Sequence, residues 1–339
     1  MSPDEQRSSS EHLFDCSVVI PTRNRVRHLE LCLRALCSQT EDADHFEVIV
    51  ADDGSTDGTP LTLSRLRTPF QLRTLTRPPD GAFAARNAGG QAALGRVCIF
   101  LDDDVIAGEE LVAEHLSAHR RSPRSFAFGQ LVQFPARGWY AREFARAWCR
   151  SYESLESRAA RWTDASCGNL SVERAAFLEA GGFSVMAPAA TADIEFGYRL
   201  HRYGLSPVYL PRAWGRHDDG KGRARLLEDA RRRGEANAEL GRRELRMLPE
   251  LLDWCGEATH RERALRRGLI ELGVPPAALA LLGPLCPSTV ARRIWFEFVS
   301  RYAYWLAVRR AMDRSRWTAL TTEGHPRHDR LGPSRSRRA

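Results

Sequence analysis

The chain has 339 residues and a mass of 38.2 kDa, with 43% hydrophobic and 27% charged residues. That length and composition suit one large domain or two ordinary ones, and they exclude global disorder, a collagen-like repeat, a disulfide scaffold and a coiled coil. The net charge of +7 is unevenly placed: residues 221–339 hold 25 basic and 14 acidic groups, whereas residues 1–220 hold 25 basic and 29 acidic. A mildly acidic body joined to a basic C-terminal region fits an anionic partner for that region (membrane surface, acidic carrier protein or nucleic acid) or an arginine-rich solvated helical face. Lys221 is the one lysine; the other basic residues are arginine, a bias that, with abundant alanine, reflects a GC-rich genome.

Eight cysteines form no C-x-x-C pair and no His/Cys spacing typical of zinc. Several, such as Cys98 in VCIF, lie inside apolar runs as small buried hydrophobes. Residues 1–15 are polar and acidic, without the regions of a signal peptide. A disordered N-terminus and a cytoplasmic setting, with peripheral attachment at the inner membrane face as an option, are expected.

Strand and helix signals then alternate. CSVVI (16–20) is an apolar strand ending at Pro21, and 26–38 has helical spacing with Leu29, Leu33, Leu36 and Cys37 on one face. FEVIVA (46–51) is a second strand and ADDGSTDGT a turn-rich stop; 59–66 is helical, QLRTL (71–75) a weak third strand, and 81–94 an alanine-rich helix. VCIFL (97–101) is a fourth buried strand, halted by Asp102, Asp103 and Asp104, with a helix over 108–119. Residues 125–134 read as a strand, 138–160 as a helix, 162–183 as a strand, a polar loop and a helix capped by Gly181 and Gly182, 192–203 as a helix, and PVYL (207–210) as a strand. Beyond Gly220 everything reads as helix, to a basic disordered tail at 319–339. The alternation implies a mostly parallel α/β sheet covered on both faces, with ligands at the carboxyl ends of its strands. The domain division that follows is 16–120 and 121–220 as two parts of one body and 221–318 as a helical region.

The uncharged stretch 272–291 has spanning length but carries Pro275, Pro276, Pro284 and Pro287, so a buried or interfacial hairpin is expected, helical only over 277–282. The run IWFEFVSRYAYWLAV, interrupted by Glu297 and Arg301, is an amphipathic helix whose aromatic face suits packing on the body or lying at a bilayer surface.

Two acidic motifs end neighbouring strands. Three adjacent carboxylates at 102–104 repel one another, and a hard divalent cation relieves that repulsion while leaving sites open for phosphate oxygens; the rival reading is an acidic turn capping the next helix. Carboxylates of Asp52 and Asp53 accept hydrogen bonds from a nucleobase imide or from ribose, while Ser55, Thr56 or Asp57 caps the helix after them.

VVIPTRNR (18–25), VADDGSTDG (50–58), AARNAGG (84–90), FLDDD (100–104), CGNLSVERAAFLEAGGF (167–183) and the region of ADIEFGYRLHRYG (192–204) occur in that order. Together, over residues 16–217, they resemble glycosyltransferase family 2, whose members have the GT-A fold. The resemblance implies a Rossmann-like mostly parallel sheet, a nucleotide-sugar donor and a manganese or magnesium ion. It implies that Pro21 and Arg23 border the nucleotide, that Asp52 or Asp53 recognises the base, most often uracil, and that Arg86 and Asn87 add contacts. Asp102 and Asp103 would serve the nucleotide sugar, Asp103 at the ribose; Asp104 and His217 would hold the metal, and Asn169 a donor hydroxyl. The family's acidic pair reads Ala192-Asp193 here, which makes Asp193 the general base, with Glu195 in reserve. Trp214 would underlie a sugar ring or belong to the core, and Cys167 has no nucleophile signature.

The function expected is inverting transfer of a sugar, from a UDP-sugar first of all, to an acceptor hydroxyl or amine. The acceptor is a small molecule, free or carrier-bound, or a lipid-linked saccharide. Against this stand a degenerate member that binds donor without turnover, given the missing acid at 192, and a basic-tail interaction protein. A nucleic-acid-binding protein leaves the ordered Asp motifs unexplained. A sugar-nucleotide pyrophosphorylase would need a lysine-bearing glycine-rich loop near the start, which is lacking.

Overall fold

Val18, Val19 and Ile20 are fully buried in the strand β1 (Phe14–Thr22), the middle of a sheet whose faces are both covered by helices. The computed structural model describes residues 12–134, 138–188, 190–218, 220–243 and 260–312. β1 runs parallel to β2 (Phe46–Asp52) on one side and to β4 (Gly95–Leu101) on the other, and β3 (Gln71–Thr76) lies parallel to β2. The crossovers are α1 (Val26–Leu36), α2 (Thr59–Arg65) and α3 (Ala82–Ala92). Leu29, Leu33 and Leu36 of α1 face the core as their spacing predicts, whereas Cys37, expected beside them, is exposed just past the helix. In α3, a Cβ on Gly89 would overlap the side chain of Val19, so this glycine of the alanine-rich motif is what lets the helix close onto β1.

After β4 come β5 (Val105–Ala107), α4 (Leu111–Arg121), β6 (Ser125–Gln133), α5 (Trp139–Glu153), β7 (Asn169–Glu173), α6 (Arg174–Glu179), α7 (Ala192–Arg202) and β8 (Ser206–His217). The eight strands form one sheet in the order β3-β2-β1-β4-β7-β6-β8-β5. β7 is antiparallel to both β4 and β6, β8 is parallel to β6, and β5 is antiparallel to β8. The sheet is therefore parallel through its first half and mixed in its second, and the carboxyl end of β4 lies at the change.

Three local expectations need correction. β1 does not stop at Pro21 but pairs on to Thr22, opposite Asp52. The strand read as PVYL runs on through RAWGRH, alternately exposed and buried, to His217, because β6 and β5 supply partners along its length. β5 itself, three residues between an acidic turn and a helix, has too short a pattern to be read from sequence.

The C-terminal helices are α8 (Arg223–Arg243), α9 (His260–Glu271), α10 (Pro276–Ala280) and α11 (Thr289–Ala311). Phe296, Val299 and Tyr302 of α11 form a second apolar cluster with Leu226 and Leu227 of α8 and Tyr140 and Ala141 of α5. A 2.7 Å hydrogen bond between the hydroxyls of Tyr140 and Ser300 closes this contact. The aromatic face of α11 thus packs on the body, the first of its two expected placements. The 272–291 segment is not a buried hairpin: Leu279, Ala280 and Gly283 are inside, but Leu272 and Leu285 are 79% and 78% exposed. Among the described residues no helix is long and apolar enough to cross a membrane. The expected tails fall largely outside the described residues (1–11 and 313–339), as does Cys255, while the seven other cysteines are free thiols.

Candidate active site

The ends of β1, β2 and β4 converge on a pocket of about 400 Å³ lined by Pro21, Arg23, Arg25, Asp53, Arg86 and the Asp102–Asp104 turn, with Thr22, Gly81 and Ala82. Its rim is stitched from two loops. Asn24 adopts a left-handed backbone, φ 53°, and its side-chain oxygen accepts from Thr56 N–H at 2.7 Å. Asp57 accepts from the backbone N–H of both Val26 and Thr59, so one carboxylate opens α1 and α2 together.

The two aspartates at the end of β2 part company. Asp52 is fully buried beneath the loop, where one oxygen accepts from Ser55 N–H and the other, Oδ2, has no hydrogen-bond partner. Asp53 lines the pocket and accepts from the backbone N–H groups of Asp80 and Gly81, at 2.8 and 2.9 Å, which fixes the entrance to α3.

The three carboxylates after β4 are each held differently. Asp102, half-buried, is paired with Arg86. Asp103 accepts from Thr22 Oγ1 at 2.7 Å and faces Arg25 at 3.3 Å. Asp104 is bound by Arg25 at 2.7 Å and lies 3.1 Å from Nε2 of His217, whose Nδ1 meets the amide of Gln133 at 2.7 Å. Burial pushes the Asp103 carboxyl up to about 7, in spite of Arg25 and Thr22. Burial acts on Asp104 too, but His217 and Arg25 outweigh it and hold that carboxyl well below the usual range. One ligand atom each from Asp102, Asp104 and His217 lies within 4.8 Å of the others. The two carboxylates suit a hard divalent ion such as Mn2+ or Mg2+, and the imidazole favours Mn2+, the less strictly oxygen-seeking of the two.

The other expected residues fall elsewhere. Asn87 is engaged with the backbone of Phe183, giving a hydrogen bond to its carbonyl and taking one from its N–H. Asn169 is fully buried, its amide divided between the Ala213 carbonyl and Nε2 of His115. Neither side chain lines the pocket. Asp193 stands in the first turn of α7, where burial raises its carboxyl and Arg233 and Arg86 offset this only in part. Glu195 forms a two-pronged pair with Arg199 at 2.5 and 2.8 Å, and Arg199 also grips the Ala180 and Gly182 carbonyls. Glu195 thus clamps the α6–α7 connection. The Trp214 ring is 45% exposed against Gly108, and burial pushes the Cys167 thiol up, away from nucleophile behaviour.

Arg25, Thr22 and Gln133 were not among the residues expected here. Arg25 belongs to the same TRNR segment as Arg23, and only the turn of the backbone at Asn24 decides that it faces the aspartates. Gln133, the last residue of β6, between the half-buried Val132 and the exposed Phe134, has no signal in the sequence.

Comparison with known proteins agrees with this architecture. The model of glycosyl transferase family 2 matches residues 17–177. A validoxylamine A glucosyltransferase of Streptomyces hygroscopicus subsp. jinggangensis is 29% identical over 236 residues, 61% of this chain and 56% of that protein. The chain therefore spans little more than half of that relative. An N-acetylglucosaminyl-diphospho-decaprenol L-rhamnosyltransferase of Mycobacterium tuberculosis is 30% identical over 231 residues, 58% of this chain and 73% of that protein. The mannosyltransferase PcManGT from Pyrobaculum calidifontis, solved in complex with GDP-Man and Mn2+, superposes with a TM-score of 0.64 at 19% identity over 88% of each chain. With a GT-A sheet, the ordered aspartate motifs and these relatives in hand, the chain belongs to glycosyltransferase family 2.

Proposed function

We propose that this chain moves a sugar from a nucleotide-diphosphate sugar, UDP-linked first of all, to an acceptor hydroxyl or amine in a single inverting displacement. The observation that carries the reading is the meeting of Asp102, Asp104 and His217 beside a pocket that also holds three arginines. A diphosphate brings charge that Arg23, Arg25 and Arg86 balance. Asp53, at the pocket wall, is the carboxylate for the base, and Asp103 the one for the ribose. Asp102, Asp104 and His217 would hold Mn2+ or Mg2+; bound there, the ion offsets the charge of the departing diphosphate.

Asp193 is the general base. Its carboxyl stands in the first turn of α7, desolvated by burial, and feels the charge of Arg86, which lines the pocket. It takes the acceptor proton as the acceptor oxygen or nitrogen bonds to the anomeric carbon and the bond to the diphosphate breaks on the opposite face. Glu195, committed to Arg199, is left with the structural task. The names of the relatives divide between a small-molecule and a lipid-linked acceptor, and the chemistry they share is a sugar acceptor attacking as a nucleophile.

The test is thermal stabilisation by UDP, GDP and their sugars, with and without Mn2+, on the wild type and on Asp104→Asn. Metal-dependent stabilisation by one nucleotide family, lost in the variant, supports the reading and names the base. Stabilisation by no nucleotide under either condition refutes it.

A further inference from the structure

Among the described residues, the exposed large apolar side chains of the C-terminal helices all fall in one stretch of the chain. Of the seventeen large hydrophobic side chains exposed among the described residues, seven fall between Leu265 and Ile294. Leu272 follows α9, Leu281, Leu282 and Leu285 follow α10, and Val290 and Ile294 lie one turn apart at the start of α11. Such clustering, unlike scattered surface leucines, marks an interaction face.

The face is built rather than frayed. Leu279 and Ala280 are buried beneath it, and the indole N–H of Trp295 donates to the Leu279 carbonyl at 2.9 Å. The Tyr302 hydroxyl reaches the carbonyls of Leu269 and Val274, at 3.0 and 2.6 Å, which fixes the turn between α9 and α10. Gly283 packs so tightly on Trp139 of α5 that a Cβ there would overlap the indole. The exposed leucines are thus held outward on a support anchored to the body.

Its charge selects the occupant. No acidic residue occurs between Glu271 and Glu297, and the only charges in that interval are Arg292 and Arg293. Arg267, exposed, flanks the other end; it pairs with Glu271 at 3.3 Å and Arg293 with Glu297 at 3.9 Å, surface pairs that leave residues 260–297 with six arginines against three glutamates in a strongly basic C-terminal third. An apolar face with a cationic rim matches the surface of an anionic bilayer, where leucines enter the acyl boundary and arginines meet headgroup phosphates. We infer that the α9–α11 segment, through the exposed Leu272, Leu281, Leu282, Leu285, Val290 and Ile294, docks this protein onto an anionic membrane surface without crossing it. The inference stands apart from the sugar-transfer reading, since it needs no nucleotide.

The experiment is co-sedimentation of the full chain with phosphatidylglycerol-containing vesicles and with pure phosphatidylcholine vesicles. The wild type is expected to pellet with the anionic vesicles and only weakly with the neutral ones. Leu281→Ser/Leu282→Ser/Leu285→Ser should lower the anionic-vesicle partition constant about tenfold or more, and Arg292→Gln/Arg293→Gln about tenfold. Unchanged thermal midpoint and nucleotide-induced shift in each variant separate lost docking from lost folding or a lost donor site, and Leu285→Ser alone serves as the milder variant. Failure of the wild type to bind anionic vesicles overturns the inference. So does equal binding by the leucine variants, which would assign attachment to basic residues elsewhere. A concentration-dependent dimer abolished by the same leucine changes, with no vesicle binding, would assign the face to a second copy of the chain.

Discussion

The amide of Gln133 meets Nδ1 of His217 at 2.7 Å, and across the ring Nε2 stands 3.1 Å from Asp104. A glutamine that donates to Nδ1 leaves the proton on Nε2, facing the carboxylate; by turning its amide it accepts from Nδ1–H and frees Nε2 as a ligand. Gln133 therefore serves both states of the ring. Gln133→Leu keeps the bulk and removes this partner, and should weaken apparent Mn2+ affinity about 10- to 100-fold. A Mn2+ titration of the nucleotide-induced thermal shift reads the change, and an unaltered midpoint would disconnect Gln133 from the metal.

Asp193 and Glu195, two residues apart on α7, should separate cleanly. Asp193→Asn is expected to lower kcat about 10²- to 10⁴-fold while donor-induced stabilisation persists. Glu195→Gln should keep kcat largely intact but lose about 1–3 kcal/mol of stability, since Arg199 then grips two carbonyls without its carboxylate. Turnover and thermal midpoint measured on both variants decide it. Near-normal kcat in Asp193→Asn would move the base elsewhere.

Arg25 is the cation that Asp103 and Asp104 share. Its partly exposed position tempers the cost of removing it to about 1–2 kcal/mol in the presence of EDTA. A divalent ion takes over part of its work, so Arg25→Ala should gain more stability from Mn2+ than the wild type does. Equal gains in the two proteins would show that the arginine and the ion do not compete for these carboxylates.

Beneath the site, His115 and His119 meet on Ser171 Oγ at 2.7 and 2.8 Å, buried and neutral. Burial depresses them to about 4 and about 3, below the unfolded value of about 6.5. The unfolded chain therefore binds their protons first, and the stability they confer is full above pH ~6.5 and lost as pH falls toward 4, by about 2 kcal/mol per histidine at pH ~5. Asp103, raised to about 7, acts in the opposite sense over the same range. The histidine share is accordingly read as a difference: between pH 7 and pH 5, His119→Gln should lose less unfolding free energy in urea than the wild type. Parallel losses would remove His119 from the account.

The parallel half of the fold is legible because β1, β2 and β4 are buried on both faces and so appear as largely apolar runs, with Ser17 and Glu47 as buried polar exceptions. β8 is less so: five of its twelve residues are exposed, and its length depends on partners distant in sequence. The acidic motifs could be located for the same reason, since they end buried strands. What sequence does not convey is which way a polar side chain turns once there. Asn87 and Asn169 bond to the fold itself, while Arg25, two residues from Arg23, reaches the aspartates because Asn24 takes a left-handed backbone between them.

The place of β7 in the sheet bears on how the protein comes to exist at all. β4, almost wholly buried, has β1 on one side and β7 on the other, and β7 is made only when residues 169–173 have left the ribosome. Until then an apolar strand stands at an open edge, and Asp104 at its tip still lacks His217. A fragment released at residue 120 would keep every nucleotide-facing residue of the first four strands and still be an aggregation-prone intermediate rather than a smaller enzyme half. Synthesis must run past the boundary that the chemistry suggests before the chemistry has a stable floor.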